Sequence, residues 1–108
     1  MEGIDEPMST VMPAFTEAMY LLGDVAGGQA ALWDLVDAAP IQFFDVGEDD
    51  LPRIRELMAT YSDREMDLAD AALVRVAERE GVETIFTVDR IDFTVYRING
   101  RRAFRLIP

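Results

Sequence analysis

The side chains in this sequence whose types and spacing could do chemistry are acids. The stretch "EMDLADAALVRVAERE" (65–80) sets Asp67 and Asp70 three apart at the mouth of an amphipathic helix. Glu17 is the only charge in "PAFTEAMYLLG" (13–23), and Asp89 and Asp92 follow the apolar run that ends at Val88. Two uses compete for such residues. An Asp at a helix N-cap with a second acid three positions on satisfies orphan backbone N–H groups and suits the positive end of the helix dipole. Carboxylates gathered from several elements instead repel one another, and an arginine or a divalent cation relieves them. The chain contains neither His nor Cys. Ser/His and Cys/His nucleophilic arrangements, imidazole or thiolate zinc sites and disulfides are therefore excluded. Any metal site is built from oxygen and selects a hard cation such as Mg²⁺ or Mn²⁺.

The elements that must position these acids read as one α/β domain over residues 1–108. "PMSTVM" (7–12) is a short β-leaning run, followed by a helix with Pro13 near its start and Gly23 at its end. That helix is apolar nearly all round. "GGQAALWDLVDA" gives a second helix after Gly27 and Gly28, and "IQFFDV" (41–46) a strand. "EDDLPRIRELMATY" (48–61) places Leu51, Ile54, Met58 and Tyr61 on one helical face, with Arg53, Arg55 and Glu56 outside it. In the Asp67/Asp70 helix, Leu73, Val76 and Ala77 mark the buried side. "ETIFTVD" (83–89) is a continuous apolar strand of the kind covered on both faces, and "VYRINGRRAFRLIP" (95–108) alternates around Asn99-Gly100, a two-residue hairpin signal. The lone Trp33 and the scattered methionines read as packing, not as a binding box. An order of strand, helix, helix, strand, helix, helix, strand implies a largely parallel sheet.

Such a sheet predicts where the acids meet. Each strand delivers the chain to the carboxyl edge, where the following helix begins, and each returning helix leads to a strand ending at that same edge. Glu17, Asp67, Asp70, Asp89 and Asp92 should all face the carboxyl edge, where open α/β folds bind ligands. Glu17 is telling, because one carboxylate in an apolar helix is costly without a partner. An arginine or a cation would serve. Asp67 keeps its capping role, and Asp70, one turn further in, is the expected ligand.

Charge is uneven. Net charge is −11, which opposes coating by nucleic acid. Residues 1–89 carry −15, however, and residues 90–108 carry +4, with every basic residue an arginine. Arginine is the better bidentate phosphate donor, and a GC-rich genome gives the same bias. No apolar run is long enough to span a bilayer and no basic-then-apolar leader opens the chain, so the expected compartment is the cytoplasm.

"MDLADAALVRVAEREGVETIFTVDRIDF" (66–93) resembles the C-terminal signature of PIN-domain proteins, particularly VapC-type toxins of toxin–antitoxin pairs. In that pattern an Asp-Ala opens a helix, a strand follows, and an acidic cluster precedes Asp-Phe; here these are Asp70-Ala71, the strand to Val88, Asp89, and Asp92-Phe93. "VMPAFTEAMYLL" (11–22) is similar to the family's earlier helix with its Glu, matched by Glu17. The resemblance covers roughly residues 8–108. It implies a PIN-like three-layer sandwich: a mostly parallel sheet flanked by helices and, with the hairpin signal, a C-terminal β-hairpin.

It also implies a Mg²⁺- or Mn²⁺-dependent endoribonuclease with RNA as substrate, a cognate antitoxin as partner, and a possible homodimer. By position Glu17, Asp70 and Asp89 would be catalytic metal ligands, and Asp92 an auxiliary ligand or an acid just behind the ligands. Thr87 would support the cluster through its hydroxyl. Arg90, Arg97, Arg101 and Arg102 are candidates for RNA phosphate contact, or a solvated hairpin face. The family pattern opens with a strand ending in Asp. In this chain "MEGIDEPM" holds Asp5 with no apolar strand before it, so the expected domain is N-terminally incomplete. The alternative is a catalytically incomplete PIN remnant that binds an antitoxin or another protein.

Overall fold

The computed structural model describes residues 8–86 and the backbone of short strands at 97–98, 102–103 and 105–107. Strand β1 (Met8–Val11) passes directly into α1 (Met12–Leu21), a 3₁₀ turn (Leu22–Asp24) and α2 (Gly28–Ala38). Strand β2 (Ile41–Phe44), a 3₁₀ turn (Glu48–Asp50) and α3 (Leu51–Thr60) follow. A further 3₁₀ turn (Ser62–Arg64) leads to α4 (Leu68–Glu80) and β3 (Thr84–Phe86), and β4 (Arg97–Ile98), β5 (Arg102–Ala103) and β6 (Arg105–Ile107) complete the order.

Strands β2, β1, β3 and β6 form a sheet in that order, with every neighbouring pair parallel. The parallel sheet expected from the element order is present. β1 pairs β2 along its whole length, Met8 opposite Ile41 through Val11 opposite Phe44. β1 meets β3 at Ser9 opposite Ile85, with no strand between them among the described residues. β4 and β5 pair antiparallel; the turn expected at Asn99-Gly100 lies outside the described residues.

Side chains alternate between the two faces of the sheet, so each strand feeds two cores. On one face Val11 and Ile85 pack with Ile54 and Leu57 of α3 and with Ala71 to Val74, Val76 and Ala77 of α4. On the other, Met8 packs with Phe15, Ala18 and Leu32, flanked by Ile41 and Phe43. The edge-on contacts of Phe15 with Phe43 and Trp33, at centroid distances of 5.2 and 5.4 Å, order that second core. Helices therefore cover both faces, giving three layers.

The expected burial needs correcting in two helices. α1 is not core all round: Phe15 and Ala18 are buried, whereas Met12, Tyr20 and Leu21 are exposed. An isolated helix reads as apolar everywhere, but only the flank meeting the sheet and its neighbours is covered. In α3, Leu51 is exposed and Leu57 is buried. Ile54, Leu57, Met58 and Tyr61 form the inward stripe, and Leu51 stands at the helix mouth turned to solvent.

Two glycines answer to geometry. Gly81, at φ +69°, ends α4 in the left-handed region that glycine enters without strain, and its N–H bonds the Ala77 carbonyl. At Gly28 a Cβ would stand 3.0 Å from the Leu22 carbonyl oxygen, so the turn into α2 closes only around a bare backbone.

Candidate functional site

Asp67 and Asp70 do start the helix. Asp67 is the N-cap of α4: its Oδ1 accepts the Asp70 backbone N–H at 2.9 Å, and the Asp70 Oδ2 accepts the Asp67 N–H at a longer 3.4 Å. The pair forms a reciprocal capping box, as local spacing required. The two differ in burial, however. Asp67 is exposed, whereas Asp70 is 8% exposed and stands among Ala69, Ala71 and Ala72. A carboxylate so withdrawn from water keeps its charge only where fixed donors or cations face it.

Glu17 is half-buried on α1. α1 packs against α4, and Ala14, one turn before Glu17, lies against the α4 core cluster. Residues three apart share a helix flank, so Glu17 lies on the flank of α1 that turns to α4. α1 leaves the carboxyl end of β1 without a linker, and α4 ends just before β3, which runs parallel to β1. Asp70 thus stands at the end of α4 nearer the carboxyl edge, and Glu17 stands near the middle of the helix packed against it.

Asp89, Asp92, Thr87, Arg90 and Arg101 lie outside the described residues. Arg97 and Arg102 sit in strands of which only the backbone is described. Among the described residues no group of three or more acids is arranged to hold a metal ion.

A second acidic centre escaped the sequence reading. Asp50, 3% exposed, accepts Nε of Arg75 at 2.8 Å on Oδ1. Its Oδ2 takes Nη1 of Arg79 and the Gly47 N–H, both at 2.8 Å. The Gly47 N–H, opposed by burial and helped by the two guanidiniums, holds the Asp50 carboxyl below its ordinary value. Arg79 also donates to Glu80 and to the Asp45 carbonyl, and Glu80 first, then Asp50, raises its pKa. One turn along, Arg53 grips Glu78 through Nε and Nη2, both at 2.8 Å, and pairs with Glu56.

These contacts strap the α3 mouth to the carboxyl-terminal half of α4, so the two helices run antiparallel. The open concavity beside the strap, about 570 Å³, is lined by Asp45, Gly47, Glu48, Asp49, Asp50, Arg75 and Arg79. Both its guanidiniums are engaged by Asp50 and the rest of its charge is acidic, so it offers no anion site. Arg75 and Arg79, one turn apart, were the legible half of this strap. Their partner lies 25 and 29 residues away in sequence, beyond any local pattern.

No protein-family model matches the chain. The chain is 31% identical over 90 residues, 83% of its length, to Ribonuclease VapC26 of Mycobacterium tuberculosis (strain ATCC 25618 / H37Rv). The aligned part is 58% of that protein, so the chain spans under two thirds of the length of the curated relative it matches. The likeness supports a VapC-like relationship.

Proposed function

We propose that the chain is a PIN-type, metal-dependent endoribonuclease, the toxin half of a toxin–antitoxin pair, in which Glu17, Asp70 and Asp89 hold a Mg²⁺ or Mn²⁺ ion and Asp92 assists. One observation carries this reading most: a buried Asp70 and a half-buried Glu17 stand on two packed helices that meet the same sheet edge. The donors fit the ion. They are carboxylate oxygens in a chain without His or Cys, and hard cations take such ligands. When bound, the ion would activate water for in-line attack on an RNA phosphodiester and steady the departing oxygen.

The residues have separate tasks. The capping box fixes the Asp70 side chain against the helix mouth, so its carboxylate is oriented before any ion arrives. Packing of α1 on α4 sets the distance to Glu17. Arg90, Arg97, Arg101 and Arg102 would meet RNA phosphates on the +4 segment, and Thr87 would brace the cluster. The antitoxin and a second copy of the chain are the proposed partners. No helix among the described residues is long and apolar enough to cross a membrane, and the cytoplasm is the proposed compartment.

The test is cleavage of a single-stranded RNA by the full chain with Mg²⁺. The wild type should cut, EDTA should abolish cutting, and Asp70→Asn or Glu17→Gln should lower the rate by about a hundredfold or more with the circular dichroism unchanged. Cleavage that survives EDTA ends this reading. A second reading, a catalytically incomplete PIN relative that binds protein, has one observation in its favour: the capping box gives both Asp67 and Asp70 a structural task. It expects partner binding without cleavage.

A further inference from the structure

The link between α3 and α4 is short and bonded along its length. The Arg64 N–H donates to the Tyr61 carbonyl at 2.9 Å, and the Glu65 N–H to the Ser62 carbonyl at 3.2 Å. Tyr61 packs against the α3/α4 core and Met66 is buried within it, so residues 62–65 must turn the chain between two anchored side chains. Glu65 carries the turn, at φ +55° and ψ +38°. Among the described residues two others adopt positive φ, and both are glycines, Gly27 and Gly81. A glutamate in that region crowds its Cβ against the following carbonyl oxygen, a cost that glycine escapes. Its side chain offers no compensation: the carboxylate is exposed and forms no ion pair among the described residues.

Two residues on, the bend meets the capping box of α4. Met66 and Ala71 belong to one core cluster. They precede the N-cap and close the first turn, the positions of a hydrophobic staple, which fixes the angle at which the chain enters the helix. The staple on one side and the 3₁₀ turn on the other hold Glu65 in its unfavoured conformation. The two arms of the box are unequal. The Asp67 side chain takes the Asp70 N–H at 2.9 Å, whereas the Asp67 N–H reaches Asp70 Oδ2 only at 3.4 Å. The longer arm is the one whose donor lies nearer the strained residue.

We infer that Glu65 is a positioning residue for Asp70: its left-handed bend keeps the Asp67 N–H from closing fully on Asp70 Oδ2, so the cap holds that oxygen lightly. The use of the oxygen rests on the ribonuclease reading, in which a cation takes it; the effect of the bend on the cap does not.

Amide proton exchange by NMR, on the full chain without metal, reads the two arms separately. Neither amide adjoins residue 65, so substitutions there leave the intrinsic exchange rates unchanged. In the wild type the Asp67 N–H should be less protected than the Asp70 N–H. Glu65→Gly relaxes the bend and should slow Asp67 exchange about threefold relative to Asp70. Glu65→Val, whose branched Cβ fits the left-handed region worse, should speed it by a similar factor. Glu65→Gln should match the wild type, because the backbone and not the charge is at work. A change in overall stability alone would move both amides together. An unchanged ratio in Glu65→Gly and Glu65→Val overturns the inference, as does a changed ratio in Glu65→Gln. In a Mn²⁺ titration Glu65→Gly should bind about threefold more weakly than the wild type, and equal binding by the two overturns the role in positioning Asp70 for a cation. A wild type that binds no Mn²⁺ while the exchange ratio shifts contradicts the ribonuclease reading and upholds the hold of Glu65 on the cap.

Discussion

The two ends of α4 each hold a buried aspartate, and they hold it by different physics. Toward the carboxyl-terminal half, Asp50 is met by two guanidiniums and a backbone N–H, all at 2.8 Å. At the amino end, Asp70 sits at N3 of the helix, bonded reciprocally with the N-cap. Asp50 is neutralised by permanent cations and fastens two helices together. Asp70 is stabilised by the helix terminus, whose partial positive charge tolerates a carboxylate without cancelling it. The same residue type therefore straps two helices together in one place and closes a capping box in the other.

Substitutions can break this comparison. Asp50→Ala should have the largest effect on stability, a loss of about 2–3 kcal/mol, because it strands the Gly47 N–H and two partly buried guanidiniums at once. Urea unfolding checks it. Asp67→Ala should cost about 1 kcal/mol, the ordinary worth of an N-cap, read in the same titration. Glu80→Gln should change stability by about 0.5 kcal/mol or less, since its pairing with Arg79 lies at the surface.

Acid sharpens the comparison. Because the folded-state pKa of Asp50 is lowered, its contribution is full above the unfolded-state value and is lost as pH falls through the folded-state value. The stability gap between wild type and Asp50→Asn should accordingly be constant near neutrality and close below about pH 4. Chemical denaturation at a series of pH values reads this directly. A gap that widened as pH fell would contradict the strap.

Much of this was legible in the sequence because it rests on local patterns. The strand at 8–11 before a Pro-started helix, the break at Gly27-Gly28, and the capping box at Asp67 and Asp70 are all written within a few residues of themselves. Leu73, Val76 and Ala77 are buried as their spacing required. What was not legible depends on what an element packs against. Leu51 reads as core from its spacing yet turns to solvent at the α3 mouth, and Tyr20 reads as core in an apolar helix yet is exposed. Asp50 stands in an acidic run, "EDD", that looks like solvated surface. Only the antiparallel return of α4 brings Arg75 and Arg79 to it. Of the proposed ligands, the capping partner of Asp70 was visible in its spacing.

The most direct test of the claim that Glu17 and Asp70 share a cation is calorimetric titration of the full chain with Mn²⁺. The account predicts saturable binding by the wild type, a loss of about tenfold or more in affinity for Glu17→Gln and for Asp70→Asn, and unchanged binding for Asp50→Asn. Equal affinity in the wild type, Glu17→Gln and Asp70→Asn proteins, or loss in Asp50→Asn alone, would contradict it.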